Sequence, residues 1–326
     1  MPLDAAFGAF VGIAAYRALQ RRQSGSAVDS QANGQGVVAG IARARQRRYI
    51  LPAGSGLPEV PLDILFAEPP TRHIDCRHPP LVLYVLDPEP VLFGAAALSI
   101  FSQAPYFEEF RQVYIVGVGH AAESFSLDEK GFDRVALRSI RRRDFPPRYH
   151  ADFRTGREPN ADALRFVDSL AQKVVPFVEE QLLKLPQDSP APRRAILGAS
   201  YSAVVALQAL LRHTTTFRDF ILGSPSVCFD PEVLEEVDTG GYVGPATASG
   251  VAVAIFLGER EREGTALPGN VHNDMTEGVH SLAAKLRCRG IDVEGVNEIL
   301  AEDHSSVKLP LINRGIAWLG ERRKSV

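Results

Sequence analysis

The chain lacks the residues and spacings from which metal and redox centres are built. Its three cysteines among 326 residues, Cys76, Cys228 and Cys288, are odd in number, far apart and form no C-x-x-C pair. That argues against a disulfide framework and a zinc site, and in favour of a reducing compartment. The sequence has no H-E-x-x-H, no glycine-lysine phosphate loop and no G-x-G-x-x-G opening a helix; Gly117-Val118-Gly119 is a lone G-x-G. Zincin, P-loop and dinucleotide-fingerprint chemistries therefore have no foothold, and the sequence requires neither cofactor nor metal. Charge of one sign is also missing. A formal net charge of −3 gives no general attraction to nucleic acid or to an anionic surface. No apolar run is long enough for a spanning helix, so stable membrane insertion is not expected, and no internal repeat is present.

What is present is ordinary globular material, 45% hydrophobic and 23% charged, enough for a sizeable core. The first 55 residues read as an N-terminal leader and linker, weakly ordered. An apolar Met1–Leu19 segment is followed by Arg21-Arg22, a polar tract to Gly40 and a second arginine cluster, with Asp4 and Asp29 the sole acids before Tyr49. Such a leader has some character of an organellar transit peptide. Cytoplasmic location is the first expectation and organellar targeting the alternative. Residues 56–326 read as one domain.

Strand and helix signals alternate through that domain. Val60–Phe66 alternates like a half-exposed strand, while Leu81–Leu86, Val113–Gly119, Phe220–Gly223 and Val251–Leu257 are short continuous apolar runs of the kind buried in parallel sheets. Ala161–Leu185 has helical apolar spacing, with Pro176 placed to kink it. Helices are expected over Met275–Cys288 and from the loop after His304 to near Trp318. Arg138–Pro159 reads as a long surface loop. Alternation of this kind predicts an α/β fold, a three-layer sandwich around a mostly parallel central sheet.

Ligands in open parallel sheets bind outside the carboxyl ends of the strands, so polar residues just after strands carry the functional reading. The run Ala195–Ser202 into Ala203–Leu211 is a strand, a sharp turn with Ser200, and an apolar helix, the context in which a G-x-S-x-G-like pattern is a nucleophile elbow. Gly198 provides the small residue two before the serine, and Ser202 stands where glycine is usual. Glu259 and Glu261 follow the Val251–Leu257 strand, and His304 follows the last strand, near Val293–Ile299. The order serine, acid, histidine is that of an α/β-hydrolase triad. A serine hydroxyl needs an imidazole to take its proton, and the imidazole needs a carboxylate to fix its tautomer. The charged run Glu259–Glu263 leaves the choice of acid open, with a serine-histidine dyad as a further alternative. The Tyr201 N–H follows the nucleophile and is one expected oxyanion donor. The second is expected from the loop after Leu86, where Pro88 and Pro90 have no N–H and Glu89 does.

These residues resemble a family, the esterase D-like α/β-hydrolases, and within it the siderophore (enterobactin and salmochelin) esterase-like hydrolases. The resemblance spans roughly residues 59–322. It is carried by Tyr84–Asp87, Ile115–Gly119, Arg141–Pro147, Leu197–Ser202, Ser224-Pro225-Ser226, Gly258–Glu261 and Glu302–Val307. It implies the α/β-hydrolase fold and serine-dependent hydrolysis of carboxylic esters of small molecules through an acyl-enzyme, with Ser200 as nucleophile and His304 as general base and acid. The family's spacing favours Glu261 over Glu259 as the orienting acid. It also assigns Arg143, in a loop bordering the substrate cleft, and Asp87 to substrate binding. Pro88 departs from the glycine usual in the family. That departure motivates an alternative, a catalytically degenerate fold kept as a binding module; acyl transfer by the same triad is a third reading. The oligomeric state is not legible.

Overall fold

A continuous apolar run can be a strand only if both of its faces are covered, and Leu81–Leu86 is buried at every position. In this strand, β3, the side chains of Leu81, Leu83 and Val85 enter one hydrophobic cluster, and those of Val82, Tyr84 and Leu86 enter another on the opposite face. The period-two alternation of a strand thus divides one sequence between two cores. The structure, a computed structural model, describes residues 46–51, 62–69, 79–86, 90–104, 106–120, 127–128, 131–132, 162–185, 189–213, 215–229, 231–239, 250–262 and 275–324.

The other strands are β1 (Gln46–Leu51), β2 (Leu62–Ala67), β4 (Val113–His120), β7 (Arg193–Ala199), β8 (Asp219–Gly223), β9 (Ala252–Gly258) and β10 (Asp292–Ile299), with a small separate ribbon of β5 (Leu127–Asp128) and β6 (Gly131–Phe132). They form an eight-stranded sheet in the order β1-β2-β4-β3-β7-β8-β9-β10. Pairing is antiparallel at β1–β2 and β2–β4 and parallel from β4 to β10. Helices α1 (Pro90–Gln103) and α6 (Lys308–Lys324) cover one face. The other face carries α2 (Asp162–Ser169), α3 (Tyr201–Arg212), α4 (Pro231–Thr239) and α5 (Met275–Cys288). The result is the three-layer, mostly parallel α/β sandwich expected from the sequence.

Three details differ from the reading of the sequence. β1 lies inside the stretch assigned to the linker: Gln46–Leu51 pairs with Leu62–Ala67 in register, and Tyr49 and Leu51 pack against the core. Its two arginines mask the strand signal; Arg47 reaches the buried carboxylate of Glu68 and lies over the Phe66 ring. Residues 1–45 lie outside the described residues. The helix expected over Ala161–Leu185 runs as α2 and then as wider π turns at Leu170–Val174 and Val178–Leu183, on either side of Val175–Phe177. Pro176 cannot donate to the ladder and its ring crowds the preceding turn; a wider turn accommodates both effects. Finally, α6 continues past Trp318 to Lys324.

The reason for that extension lies beneath the sheet. Asp219, fully buried at the amino end of β8, accepts hydrogen bonds from Arg193 Nη2 at 2.6 Å and Arg322 Nε at 3.0 Å, and a second bond from Arg193 Nε. Arg322 also binds Asp292 at 2.8 Å. Its neighbour Arg323 donates to the Pro79 carbonyl at 3.1 Å; burial, and secondly Arg193, push its pKa down to about 10. The last turn of α6 is thereby fastened to the base of β7, β8 and β10. Higher up, Gly315 brings the helix directly onto β8, since a Cβ there would stand 2.6 Å from Ile221 Cγ2. α6 is held at both places, and the turn that precedes it carries His304.

Candidate active site

The turn between β7 and α3 is tight for a local reason. A Cβ on Gly198 would lie 2.2 Å from the Ser202 carbonyl oxygen and 2.7 Å from the Ala203 nitrogen, so strand and helix meet there only through glycine. Ser202, the departure from glycine, fits because its hydroxyl is used within the turn. It donates to the Ala199 carbonyl at 2.8 Å and accepts from the Ala199 N–H at 2.9 Å. Between these residues Ser200 adopts φ 61°, ψ −121°, a region that costs a residue with a Cβ about 1–3 kcal/mol and persists only where its surroundings enforce it. The Ser200 N–H is tied to the Gly223 carbonyl on β8 at 2.8 Å. Tyr201 is the first residue of α3, so its backbone nitrogen lies in the first helical turn, beside the serine.

Two other strand ends meet this turn. His304 Nε2 is 2.9 Å from Ser200 Oγ, and His304 Nδ1 is 2.7 Å from Glu261 Oε2. The Glu261 side chain is fully buried and that of His304 is 13% exposed. A short helical turn at Glu259–Glu261 rotates Glu261 inward, where its other oxygen accepts from the Ser224 hydroxyl at 2.6 Å and the Gly258 N–H at 2.9 Å. Three donors satisfy this buried carboxyl group and fix its orientation. Glu259, two residues away, turns outward and accepts the Ala301 N–H at 2.8 Å. It pins the loop that leads to the histidine and does not touch the ring.

The histidine turn is braced in the same manner. Asp303 accepts the N–H groups of Ser305 and Ser306 at 2.8 and 2.9 Å, while Ser306 Oγ accepts the Asp303 N–H at 2.9 Å. The Ser306 N–H, aided by that of Ser305, holds the Asp303 carboxyl below its ordinary range against the opposing effect of burial. This is the reciprocal capping pattern of a helix start, and it fixes where His304 points.

Of the residues singled out from the sequence, the structure brings Ser200, His304 and Glu261 into one hydrogen-bonded line and sets Tyr201 beside it. Asp87, Glu89, Arg143 and the Arg138–Pro159 loop lie outside the described residues. Two residues given no role beforehand stand at the centre. Ser224 holds the acid, and Ser226, fully buried, places its Oγ 3.2 Å from Ser200 Oγ. They follow the carboxyl end of β8, so the rule that drew attention to Glu261 and His304 would have found them too. At the far end of α3, His213 pairs with Asp168 at 2.8 Å. Among the described residues no cluster of three or more histidine, cysteine or acidic side chains could hold a metal ion, and no helix is long and apolar enough to cross a membrane.

The chain is similar to known esterases. A siderophore enterobactin esterase of Emericella nidulans is 27% identical over 177 residues, a match covering 50% of this chain and 57% of that protein. The chain thus aligns with little more than half the length of its curated relative. Among solved structures, the siderophore hydrolase EstA from Aspergillus nidulans superposes with a TM-score of 0.66 at 20% identity, over 91% of this chain and 99% of the other. An IroE-like serine hydrolase from Shewanella oneidensis gives 0.61 at 19% identity, over 85% and 80%. The fold is that of the α/β-hydrolases, and the likeness to siderophore esterases read from the sequence motifs holds. A family model described as "Putative esterase" matches residues 98–287, which take in the elbow and the acid turn and make up more than half of the chain, and so the protein belongs to this esterase family.

Proposed function

We propose that the protein is a serine esterase that hydrolyses carboxylic esters of small molecules through an acyl-enzyme. The observation that carries this reading is the unbroken line from Ser200 Oγ through His304 to Glu261, at 2.9 and 2.7 Å. A carboxylate at Nδ1 keeps the proton on that nitrogen and leaves the Nε2 lone pair facing the serine. Ser200 Oγ attacks the ester carbon while its proton passes to Nε2. The resulting imidazolium, stabilised by Glu261, protonates the departing alcohol as the tetrahedral intermediate collapses to the acyl-enzyme. Water then repeats the sequence: its proton goes to Nε2, its oxygen to the acyl carbon, and the carboxylic acid leaves as Ser200 regains its proton. The Tyr201 N–H, in the first turn of α3, supports the oxyanion. The names of the relatives make siderophore esters the substrates to try first. Location in the cytoplasm belongs to the same proposal, and the exposed thiols of Cys228 and Cys288 favour it.

Fluorophosphonate labelling, combined with an ester panel varied in acyl length and charge, tests this function. Labelling and turnover are expected; a folded protein that shows neither overturns it. Glu261→Gln separates the two acids. With the glutamine carbonyl accepting from the Ser224 hydroxyl and the Gly258 N–H, its NH2 faces His304 Nδ1, disfavours the tautomer with the proton there, and stabilises the imidazolium less. A fall in kcat of roughly 10²-fold or more is expected. Glu259→Gln retains an acceptor for the Ala301 N–H and should stay within about twofold, as surface changes do. Equal, small effects would leave a serine-histidine dyad. Gly198→Ala drives a methyl group into the backbone of α3, and the displaced nucleophile should lose about 10²-fold in kcat/KM. An unchanged kcat/KM in that variant would remove the need for close approach at the elbow.

A further inference from the structure

The turn after β8 is attached to both ends of the catalytic line. Gly223 ends the strand, Ser224 turns the chain at φ 42°, and its N–H is bound to the Phe256 carbonyl on β9 at 2.7 Å. Two residues on, the Ser226 N–H reaches the Ser200 carbonyl at 3.4 Å, and the Val227 N–H closes the turn on the Pro225 carbonyl at 2.7 Å. Ser224 and Ser226 are 2% and 0% exposed, and buried hydroxyls need partners. The partner of Ser224 is the acid, at 2.6 Å, and that of Ser226 is the nucleophile, at 3.2 Å.

The direction of each hydrogen follows from what each atom can offer. Glu261 only accepts, so Ser224 donates to it and so does His304 Nδ1–H. A neutral imidazole protonated at Nδ1 has only a lone pair at Nε2, so Ser200 donates there. The Ser200 proton is then committed, and the contact between the two hydroxyls must be a donation from Ser226 Oγ–H to Ser200 Oγ. The donors run Ser226, Ser200, His304 to Glu261, with Ser224 entering from the other side.

Resting on the esterase reading, we propose that Ser226 is a further catalytic residue, a hydroxyl that donates to Ser200 Oγ throughout the cycle and assists most when that oxygen is the leaving group. In the resting enzyme it occupies one lone pair of Oγ and leaves the other for the substrate carbon. During deacylation the C–Oγ bond breaks while the imidazolium returns its proton to Oγ. A donor already on this oxygen stabilises the charge that develops before the proton arrives. During acylation the same bond makes Oγ a slightly poorer nucleophile, so its benefit falls on the second half of the cycle. Ser224, which touches no reacting atom, is a positioning residue for the acid.

The test compares wild type with S226A and S226C on p-nitrophenyl acetate by rapid mixing, with active sites titrated by a fluorophosphonate and melting followed in parallel. Cysteine fills the position but gives only a weak S–H donor, so it serves if the alanine variant does not fold. In both variants the steady-state rate per titrated site should fall about tenfold, the effect of one hydrogen bond at a reacting atom. Deacylation should fall more than acylation, so that the burst of p-nitrophenol becomes more prominent than in wild type. A merely structural Ser226 would lower the melting temperature or the fraction of titratable sites and leave the rate per site unchanged. That result, or an equal slowing of both half-reactions, overturns the proposal. If wild type itself is neither labelled nor active, the esterase reading fails and the role of Ser226 with it; an active wild type with unaltered variants rejects Ser226 alone.

Discussion

Ser200→Ala is expected to abolish fluorophosphonate labelling and to reduce ester turnover by about 10⁴-fold or more, the scale seen when a nucleophile acting as part of a unit is removed. The size of the effect follows from the connectivity. Ser200 joins His304 Nε2, at 2.9 Å, to Ser226, at 3.2 Å, so its loss removes the hydroxyl that the base would deprotonate at the site of attack. The folded state should change little. Alanine keeps the Cβ that already tolerates φ 61°, and the turn is held by the backbone bond to Gly223, by the Ser202 clasp and by the bare Cα of Gly198. The decisive comparison is turnover at equal melting temperature. Persistent turnover and labelling in a folded Ser200→Ala protein would remove this serine from the mechanism, and with it the roles assigned to His304, Glu261 and Ser226.

The largest effect on stability is expected at Asp219, at the opposite end of the sheet. Its carboxylate is fully buried and answers both Arg193 and Arg322. Ion pairs of this kind add little net stability relative to apolar packing, but breaking one leaves an uncompensated buried charge, at a cost of about 3–5 kcal/mol. The side chains of Arg193 and Arg322 are 14% and 24% exposed, and water at their edges offsets part of that cost, so Asp219→Ala should lose about 3 kcal/mol. Arg323, already pushed down to about 10 by burial and by Arg193, would lose a nearby negative charge as well. Urea unfolding of wild type, Asp219→Ala and Asp219→Asn measures the effect. Asparagine conserves volume, so similar losses in both variants assign the cost to charge. A loss below about 1 kcal/mol, the scale of an exposed pair, would mean that the arginines are solvated and the cluster is ornamental. The rate per active site should be unchanged, because Asp219 and Ser224 lie at opposite ends of β8.

How far the sequence could be read depended on the range over which each feature is encoded. Helix α5 over Met275–Cys288 and strand β3 over Leu81–Leu86 fall where periodicity and apolar runs put them, since those signals sit within one element. The elbow is legible for the same reason: strand, small residue, serine and helix follow one another in one continuous stretch, Ala195–Leu211. β1 was not, because two arginines interrupt its apolar pattern and its pairing with β2 is what makes it a strand. The end of α6 near Trp318 was underestimated because Arg322 and Arg323 look like a solvated tail until Asp219, Asp292 and the Pro79 carbonyl are seen beneath them.

By itself the sequence determined the architecture and the order in which the polar candidates follow the strands. Alternation of apolar runs with amphipathic helices permits few layered packings, and the polar residues after strands follow one another as serine, acid, histidine. Resemblance to the family favours Glu261, but the residues alone leave the acid open; the contact of that acid with the imidazole, and the hydroxyls that join the line, are decided by the tertiary structure. Glu259 and Glu261 are two residues apart in one charged run, and only a single helical turn after β9 sends one outward and the other under His304. The contacts of the hydrogen-bonded line close over separations of 26, 43 and 104 residues. Partners so distant are chosen by where strand ends converge, and that convergence belongs to the packed sheet rather than to any local stretch of the chain.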